Sequence, residues 1–321
     1  MRRIEAALGF VVLSGVALYL YATAAARAAA DIPLLGGVFL LVLLGLVAGI
    51  SGGVPGLLRE DIPVPPAPRH FGDFTAVVVG AILAFIASVE LALGPVLGAA
   101  AVGLVAGVML PQYGVPAFCG AFVGMASPEL LCLRGGIIVA AVAAGVLYVI
   151  SEGVYGGYGG KLGTIALAGC VLSAGIFRES FHAAEIPSLG ITFVFVLGAA
   201  GAAVATFYLS IDLGYGPVLG SSAVGLLGGL TLPALHATMG ATAAVVVFCA
   251  SFVGMSSPRR LPTHRLVLIA GAVSGLAFAY SSPYFGGAGG KLGTLAFGAV
   301  ISVNGLHALV KRRESSHGHA S

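Results

Sequence analysis

The chain has 321 residues, of which 59% are hydrophobic and only 8% are charged. A water-soluble domain of this composition would lack enough polar side chains to cover its surface, so lipid must surround most of the chain. The net charge is only +3, with the basic residues at the ends of apolar segments, which argues against a nucleic-acid-binding surface. Composition therefore indicates an all-α, polytopic integral membrane protein.

Apolar segments suited to crossing a bilayer recur along the whole chain. We predict about twelve transmembrane helices, near residues 7–25, 34–51, 74–92, 95–110, 115–131, 135–151, 161–177, 190–210, 217–232, 240–257, 266–283 and 291–310. Several of these segments are short, so broken or re-entrant helices are the alternative for them. The N-terminus resembles a secretory signal peptide, but we expect an uncleaved first helix because a second span follows at once.

The segments fall into five parts. Residues 1–52 hold two N-terminal helices, 53–73 form a Pro-rich polar linker, 74–180 and 188–310 each hold five spans, and 311–321 form a basic, His-containing cytoplasmic tail. The two N-terminal helices suit either an oligomer contact or a partner-binding element, and the sequence does not choose between these roles.

The two five-span units are copies of one another, because three sequence blocks recur in the same order. In the first block 10 of 14 positions are identical at an offset of 122 residues, and in the others 8 of 11 and 8 of 9 are identical at an offset of 130. The eight additional residues form an insertion between Pro233 and Phe248. The matching pairs are Gly94–Gly107 with Gly216–Gly229, Phe118–Pro128 with Phe248–Pro258, and Gly156–Thr164 with Gly286–Thr294.

Five spans are an odd number, so we expect the second copy to be inverted in the membrane. Basic residues support this orientation: with the N-terminus inside, eleven fall on the cytoplasmic side and four on the other. We therefore predict a location in the cell (inner or plasma) membrane with both termini cytoplasmic. If one short segment in each copy is re-entrant, the copies become parallel instead.

Inverted repeats are typical of secondary transporters and some channels, whose sites lie where the copies meet. In architecture the layout resembles urea-channel-like and leucine-transporter-like folds, but no motif of the chain matches their diagnostic residues. Polar residues that recur in both copies are therefore the candidates for function, because packing does not explain them.

Glu90 and Asp212 form the first recurring pair, each two residues after a serine, Ser88 or Ser210. An ionised carboxylate at the end of an apolar span is costly unless it is paired, hydrated or protonated. We expect these acids to bind a coupling proton or cation. The alternative is that they end a helix at the membrane interface, in contact with water.

Lys161 and Lys291 form the second pair, each after a glycine-rich loop and at the start of a predicted helix. Glycine lets the backbone approach a ligand, and the N–H groups of a helix N-terminus favour an anion. A lysine at this helix end needs a compensating group, for which we consider an anionic solute, a lipid headgroup, Glu90 or Asp212. The alternative is an interfacial lysine on a flexible turn. The accompanying substrate-binding candidates are Gly159, Gly160, Gly289, Gly290, Thr164 and Thr294.

Ser127-Pro128 and Ser257-Pro258 form the third pair, where a helix break can free carbonyl groups to bind an ion or solute. Plain helix ends are the alternative, just as Gly94-Pro95 and Gly216-Pro217 most simply mark helix starts. The cysteines (Cys119, Cys132, Cys170 and Cys249) match no zinc or disulfide spacing and are expected to be small buried residues. Asn304 and His307 lie in the last predicted span and have no polar counterpart in the first copy. A packing role is expected for the histidine.

From these residues we predict a transporter or permease for a small polar, anionic solute, with its pathway between the copies. The alternatives are a passive solute channel of the same symmetry and a non-transporting scaffold or lipid-handling subunit. An enzyme is not expected, since no nucleophile–base set, metal signature or cofactor fingerprint is visible. The expected partners are the solute and membrane lipids, without cofactor, metal or nucleic acid.

Overall fold

The structure, a computed structural model, describes residues 2–58, 67–131 and 135–317. Within these residues the chain forms twelve α-helices and no β-strand, as predicted for an all-α protein. Each of the twelve predicted apolar segments corresponds to one helix. The helices are α1 (Arg2–Asp31), α2 (Pro33–Leu58), α3 (Ala67–Phe85), α4 (Gly94–Met109), α5 (Gly114–Val123), α6 (Gly136–Ile150), α7 (Lys161–Phe177), α8 (Leu189–Phe207), α9 (Pro217–Leu235), α10 (Gly240–Gly254), α11 (His264–Tyr280) and α12 (Lys291–His317).

Six helical stretches are long and apolar enough to cross a membrane. The other apolar helices have 10–17 residues, so a count of twelve spans remains a prediction. Large apolar side chains lie on the outer surface, among them Leu227 at 67% exposure and Phe193 at 63%, as expected where lipid is the solvent. The fold fits a multi-pass membrane protein. The six long stretches are Arg3–Asp31, Pro33–Val54, Arg69–Glu90, Leu189–Asp212, Pro217–Leu235 and Lys291–Glu314.

The same kind of helix break occurs in both five-helix units. The α3 and α8 helices continue into π-helical turns, Ile86–Glu90 and Tyr208–Asp212. A glycine with positive φ follows each turn (Gly94 at +78° and Gly216 at +84°), and the next proline lies in the first turn of α4 or α9. Proline fits there because the first N–H groups of a helix have no partner within the helix.

The predicted linker, residues 53–73, is helical at both described ends. The α2 helix continues to Leu58 and α3 begins at Ala67, while residues 59–66 lie outside the described part of the chain. At the other end, α12 extends through His317 into the predicted tail. The insertion in the second copy is accommodated by longer helices, since α9 and α10 have 19 and 15 residues against 16 and 10 in α4 and α5.

The two units pack internally in the same pattern. The α3 helix packs on α5 and α6, and α8 packs on α10 and α11. The units meet through α4 against α9 and α7 against α12. The N-terminal helices pack against this body, with Gly45 and Gly49 of α2 directly on Ser302 and Ile301 of α12. Small residues allow this close approach, which stabilises helix pairs in lipid.

Candidate functional site

Corresponding glycines of the two glycine-rich loops have nearly the same φ angles. Gly157 and Gly287 have φ of +78° and +81°, and Gly160 and Gly290 have φ of +82° and +84°. These left-handed conformations cost little only for glycine. Because Gly160 and Gly290 immediately precede α7 and α12, they set the direction in which each helix leaves its loop.

Each lysine that follows a loop is bonded to the end of the preceding helix. Lys161 Nζ donates to the carbonyl oxygen of Ser151 at 2.7 Å, and Lys291 Nζ donates to that of Ser281 at 2.8 Å. Ser151 and Ser281 directly follow α6 and α11, where unpaired carbonyl groups carry partial negative charge. A helix C-terminus thus compensates each lysine, in place of the solute, lipid headgroup or acid expected from the sequence.

The loops also bond across the boundary between the copies. The backbone N–H of Ser127 donates to Gly287 O at 2.8 Å, and that of Ser257 donates to Gly157 O at 2.9 Å. In addition, Gly159 N–H donates to Ser256 Oγ at 3.1 Å. The structure therefore brings the second and third recurring sets together, each loop contacting the Ser-Pro segment of the other copy.

Backbone packs directly on backbone where α7 and α12 begin. A methyl group placed on Gly163 would lie 2.5 Å from the Cα atom of Gly293, and one on Gly293 would lie 2.6 Å from Gly163. Likewise Gly159 and Gly289 pack on the carbonyl oxygens of Phe252 and Phe122, which leaves no room for a side chain.

Thr164 and Thr294 are fully buried and bond within their own helices. Their hydroxyls donate to Gly160 O and Gly290 O at 3.5 and 3.3 Å. Both hydroxyl groups therefore already have hydrogen-bond partners in the first turns of α7 and α12. Neither threonine lines the cavities described below.

Four phenylalanines that sequence reasoning missed fill the boundary between the copies. Phe122 and Phe252 have ring centroids 4.6 Å apart, and Phe118 and Phe248 lie 6.3 Å apart. All four are at most 1% exposed. Their recurrence in the motif Phe-Cys-x-x-Phe is the sequence signal for this contact, which a comparison of polar residues alone does not detect.

The neighbouring cysteines contact the starts of α7 and α12. Cys119 Sγ donates to Leu162 O at 3.4 Å, and Cys249 Sγ donates to Leu292 O at 3.2 Å. Both thiols are buried, as is that of Cys170, whereas Cys132 lies outside the described residues. A small buried residue with a weak donor is consistent with the packing role expected of these cysteines.

Two cavities lie at the boundary between the copies, one beside each lysine. The Lys291 cavity, of about 370 Å³, is lined by Lys291 with Ser88, Pro95, Met125, Ser127, Val245 and Phe285. The Lys161 cavity, of about 260 Å³, is lined by Lys161 with Val115, Tyr148, Glu152, Tyr155, Pro217 and Met255. Many of these residues correspond between the copies, such as Pro95 with Pro217 and Met125 with Met255. Each cavity is built from both copies.

Glu90 and Asp212 lie apart from these cavities. Each is the last residue of a π-helical turn and is exposed, and neither lines the cavity beside a lysine. Asp212 Oδ2 lies 2.8 Å from His264 Nε2 at the start of α11. The position that corresponds to His264 in the first copy is Arg134, which lies outside the described residues.

Loop Gly156–Thr164 is held by a polar network without a counterpart in the other loop. Arg260 Nε donates to Gly156 O at 3.0 Å, and its guanidinium lies 4.3 Å from the centre of the Tyr158 ring. Tyr158 Oη donates to Asn304 Oδ1 at 2.9 Å, and Asn304 Nδ2 donates to Arg260 O at 2.7 Å. The network occurs once because none of its three side chains recurs: Leu130, Ala174 and Ala288 stand at the positions that correspond to Arg260, Asn304 and Tyr158.

No family model, curated protein or solved structure matches this chain. In the described part of the chain, no three His, Cys, Asp or Glu side chains are placed to hold a metal ion. The two cavities and the residues that line them are therefore the features of the chain that bear on its function.

Proposed function

We propose that the protein is a membrane transporter for a small polar anion, with the pathway running between two inverted five-helix units. The observation that carries the proposal is the pair of corresponding cavities, each built from both copies and each containing a lysine. The ammonium group donates one hydrogen bond to a helix end and keeps two N–H groups for a solute. The N-terminus of the helix that begins at each lysine also favours a negatively charged solute.

The contacts of α1 support an inverted arrangement. Ser151, at the end of α6, packs on Gly9 near one end of α1, whereas Tyr280, the last residue of α11, donates to Asp31 at the other. Gly9 and Asp31 are 22 residues apart, or about 33 Å along the helix. Corresponding helix ends thus lie at opposite ends of α1, as expected if the second copy is turned over.

The contacts of α1 also support a site within the membrane. Tyr155, in the first loop, stacks on Phe10 with ring centroids 5.0 Å apart, and Phe285, in the second, contacts Tyr19 at 5.7 Å. Phe10 and Tyr19 both lie within residues 7–25, the predicted apolar span of α1. If α1 spans the cell membrane with a cytoplasmic N-terminus, both loops lie within the bilayer, where transporters bind their solutes.

Glu90 and Asp212 remain the proposed sites for a coupling proton or cation. Each is the last residue of a π-helical turn at a break between two helices, and such turns are frequent at functional sites. In this proposal they act at the ends of the pathway rather than on the bound anion.

Uptake by proteoliposomes tests the proposal. The full chain is reconstituted and offered labelled chloride, nitrate, butyrate, phosphate and sulfate, with Lys161→Ala, Lys291→Ala and the double variant in parallel. We expect uptake of at least one anion above that of empty liposomes, and its loss in the double variant, whereas the exposed Arg265→Ala serves as control. Unchanged uptake in all three lysine variants would contradict the anion role. Uptake that ignores proton and sodium gradients would identify a passive channel.

A non-transporting scaffold is the second candidate, and the close packing between the copies favours it. The Gly163–Gly293 contact and the four phenylalanines form a dense apolar boundary. In a transporter this boundary has to open during each cycle. A covalent cross-link across the boundary would abolish transport but would leave a scaffold function intact.

A further inference from the structure

We propose that the solute is a monovalent carboxylate with a short apolar body, and that it binds in the Lys291 cavity alone because Glu152 neutralises the Lys161 cavity. This inference rests on the proposed function for the sign of the solute's charge. It adds the number of binding sites, the class of anion and the residue that prevents anion binding in the Lys161 cavity.

The two cavities differ in charge although they correspond in sequence. Glu152 lines the Lys161 cavity, so its wall carries one positive and one negative group. At the offset of 130 the corresponding residue is Ser282. Among the described residues that line the Lys291 cavity, Lys291 is the only charged one. In the Lys161 cavity the negative charge of Glu152 offsets the attraction of the lysine for an anion. In the Lys291 cavity no acidic residue of the wall offsets it.

Glu152 is one of several ionisable residues that the first copy has and the second copy lacks. His70 Nδ1 lies 3.4 Å from Glu152 Oε2, and the buried Asp73 carboxylate lies 3.8 Å from Arg69 Nε. The second copy has Thr192 and Phe195 in place of His70 and Asp73. The Lys161 and Lys291 cavities therefore differ in the ionisable residues around them as well as in those that line their walls.

The wall of the Lys291 cavity indicates which anion fits. Ser88 and Ser127 contribute hydroxyl groups, and the Ser127 Oγ atom accepts from Leu130 N–H at 3.3 Å, so its own hydrogen remains available to a ligand. Met125, Val245 and Phe285 supply apolar surface. A single ammonium group matches one negative charge, and the second charge of a dianion would be buried without a partner. A carboxylate at the lysine with an aliphatic or aromatic body along the apolar wall satisfies both parts.

Binding to the purified full chain in detergent tests the inference without a transport assay. Isothermal titration calorimetry is performed with butyrate and benzoate, and with sulfate and phosphate as comparison. We expect one butyrate per chain, affinity at least tenfold weaker in Lys291→Gln, and weaker binding of sulfate than of butyrate. Glu152→Gln leaves Lys161 uncompensated and is expected to raise the stoichiometry to two. Arg265→Gln, an exposed loss of the same charge, should bind as the unmodified chain does.

Two sites in the unmodified chain, tighter binding of sulfate, or the absence of butyrate binding would each overturn the inference. If Lys291→Gln does not fold, Glu152→Gln still decides, since a gained site cannot arise from misfolding, and an unchanged stoichiometry would be decisive against the idea. Butyrate binding without uptake by proteoliposomes would contradict the proposed transport function but would support the binding site in the Lys291 cavity. Uptake with a stoichiometry of two would refute the single site and keep transport.

Discussion

Gly163 and Gly293 lie against each other with no space for a side chain on either, since a methyl group on Gly163 would reach within 2.5 Å of the Gly293 Cα atom. Gly163→Ala and Gly293→Ala should therefore push α7 and α12 apart, at a cost of about 1–3 kcal/mol each. Gly175→Ala is the matched control in α7, because an added methyl group meets nothing within 4 Å there. Thermal unfolding in detergent should show lower Tm for the first two variants only.

The bond from each lysine to the preceding helix predicts a second pair of effects. Lys161→Met and Lys291→Met remove a charged donor from a helix C-terminus, which costs about 1.5–3 kcal/mol. Because the bonds correspond in the two copies, at 2.7 and 2.8 Å, both variants should lower Tm. A normal Tm in both variants would mean that the ammonium groups are not bonded in this way and would leave them to a solute.

Much of this arrangement was accessible from the sequence, because apolar segments and repeated blocks are local patterns. The glycine loops, both lysines and the Ser-Pro segments were singled out because they recur. What the sequence did not indicate is the partner of each group, since Lys161 and Ser151 meet only through the turn that Gly160 permits. The network of Arg260, Tyr158 and Asn304 was missed for the opposite reason, because it occurs once and breaks the symmetry.

Phe122 and Phe252 should be coupled energetically across the boundary between the copies. Their ring centroids are 4.6 Å apart and both side chains are 1% exposed. Each alanine variant is expected to cost about 3–5 kcal/mol, with a coupling of about 0.5–1.5 kcal/mol in the double-mutant cycle. Phe193→Ala, a lipid-facing control at 63% exposure, should change stability far less. Strictly additive losses would contradict direct contact between the rings.

Glu90 and Asp212 should be accessible from opposite sides of the membrane if the second copy is inverted. In a background with all four cysteines replaced by serine or alanine, a membrane-impermeant maleimide should label Glu90→Cys from outside the cell. Asp212→Cys should be labelled only after permeabilisation, because the two residues end corresponding π-helical turns, which face opposite sides if the copies are inverted. Labelling of both from one side would support parallel copies and contradict the inverted arrangement.

Arg260 should hold the first glycine loop and leave the second one unaffected. Its guanidinium donates to Gly156 O and lies over the Tyr158 ring, an arrangement that needs the planar fork of arginine. In Arg260→Lys and Arg260→Gln, hydrogen exchange of residues 153–160 should therefore accelerate, while that of residues 283–290 stays constant. The second loop is held instead by backbone bonds between His182 and Gly286 at 2.9 and 3.0 Å.

Arg259→Gln is the control for this prediction, because it removes the same charge from an exposed neighbouring side chain. Faster exchange in both loops would show that Arg260 stabilises the boundary between the copies as a whole. Unchanged exchange in residues 153–160 would mean that the contacts of α1 are sufficient to hold this loop, since Ser14 Oγ lies 2.6 Å from Tyr155 Oη. An effect confined to the first loop would make the two halves of the repeat mechanically different, because only one loop would depend on a side-chain network from the other copy.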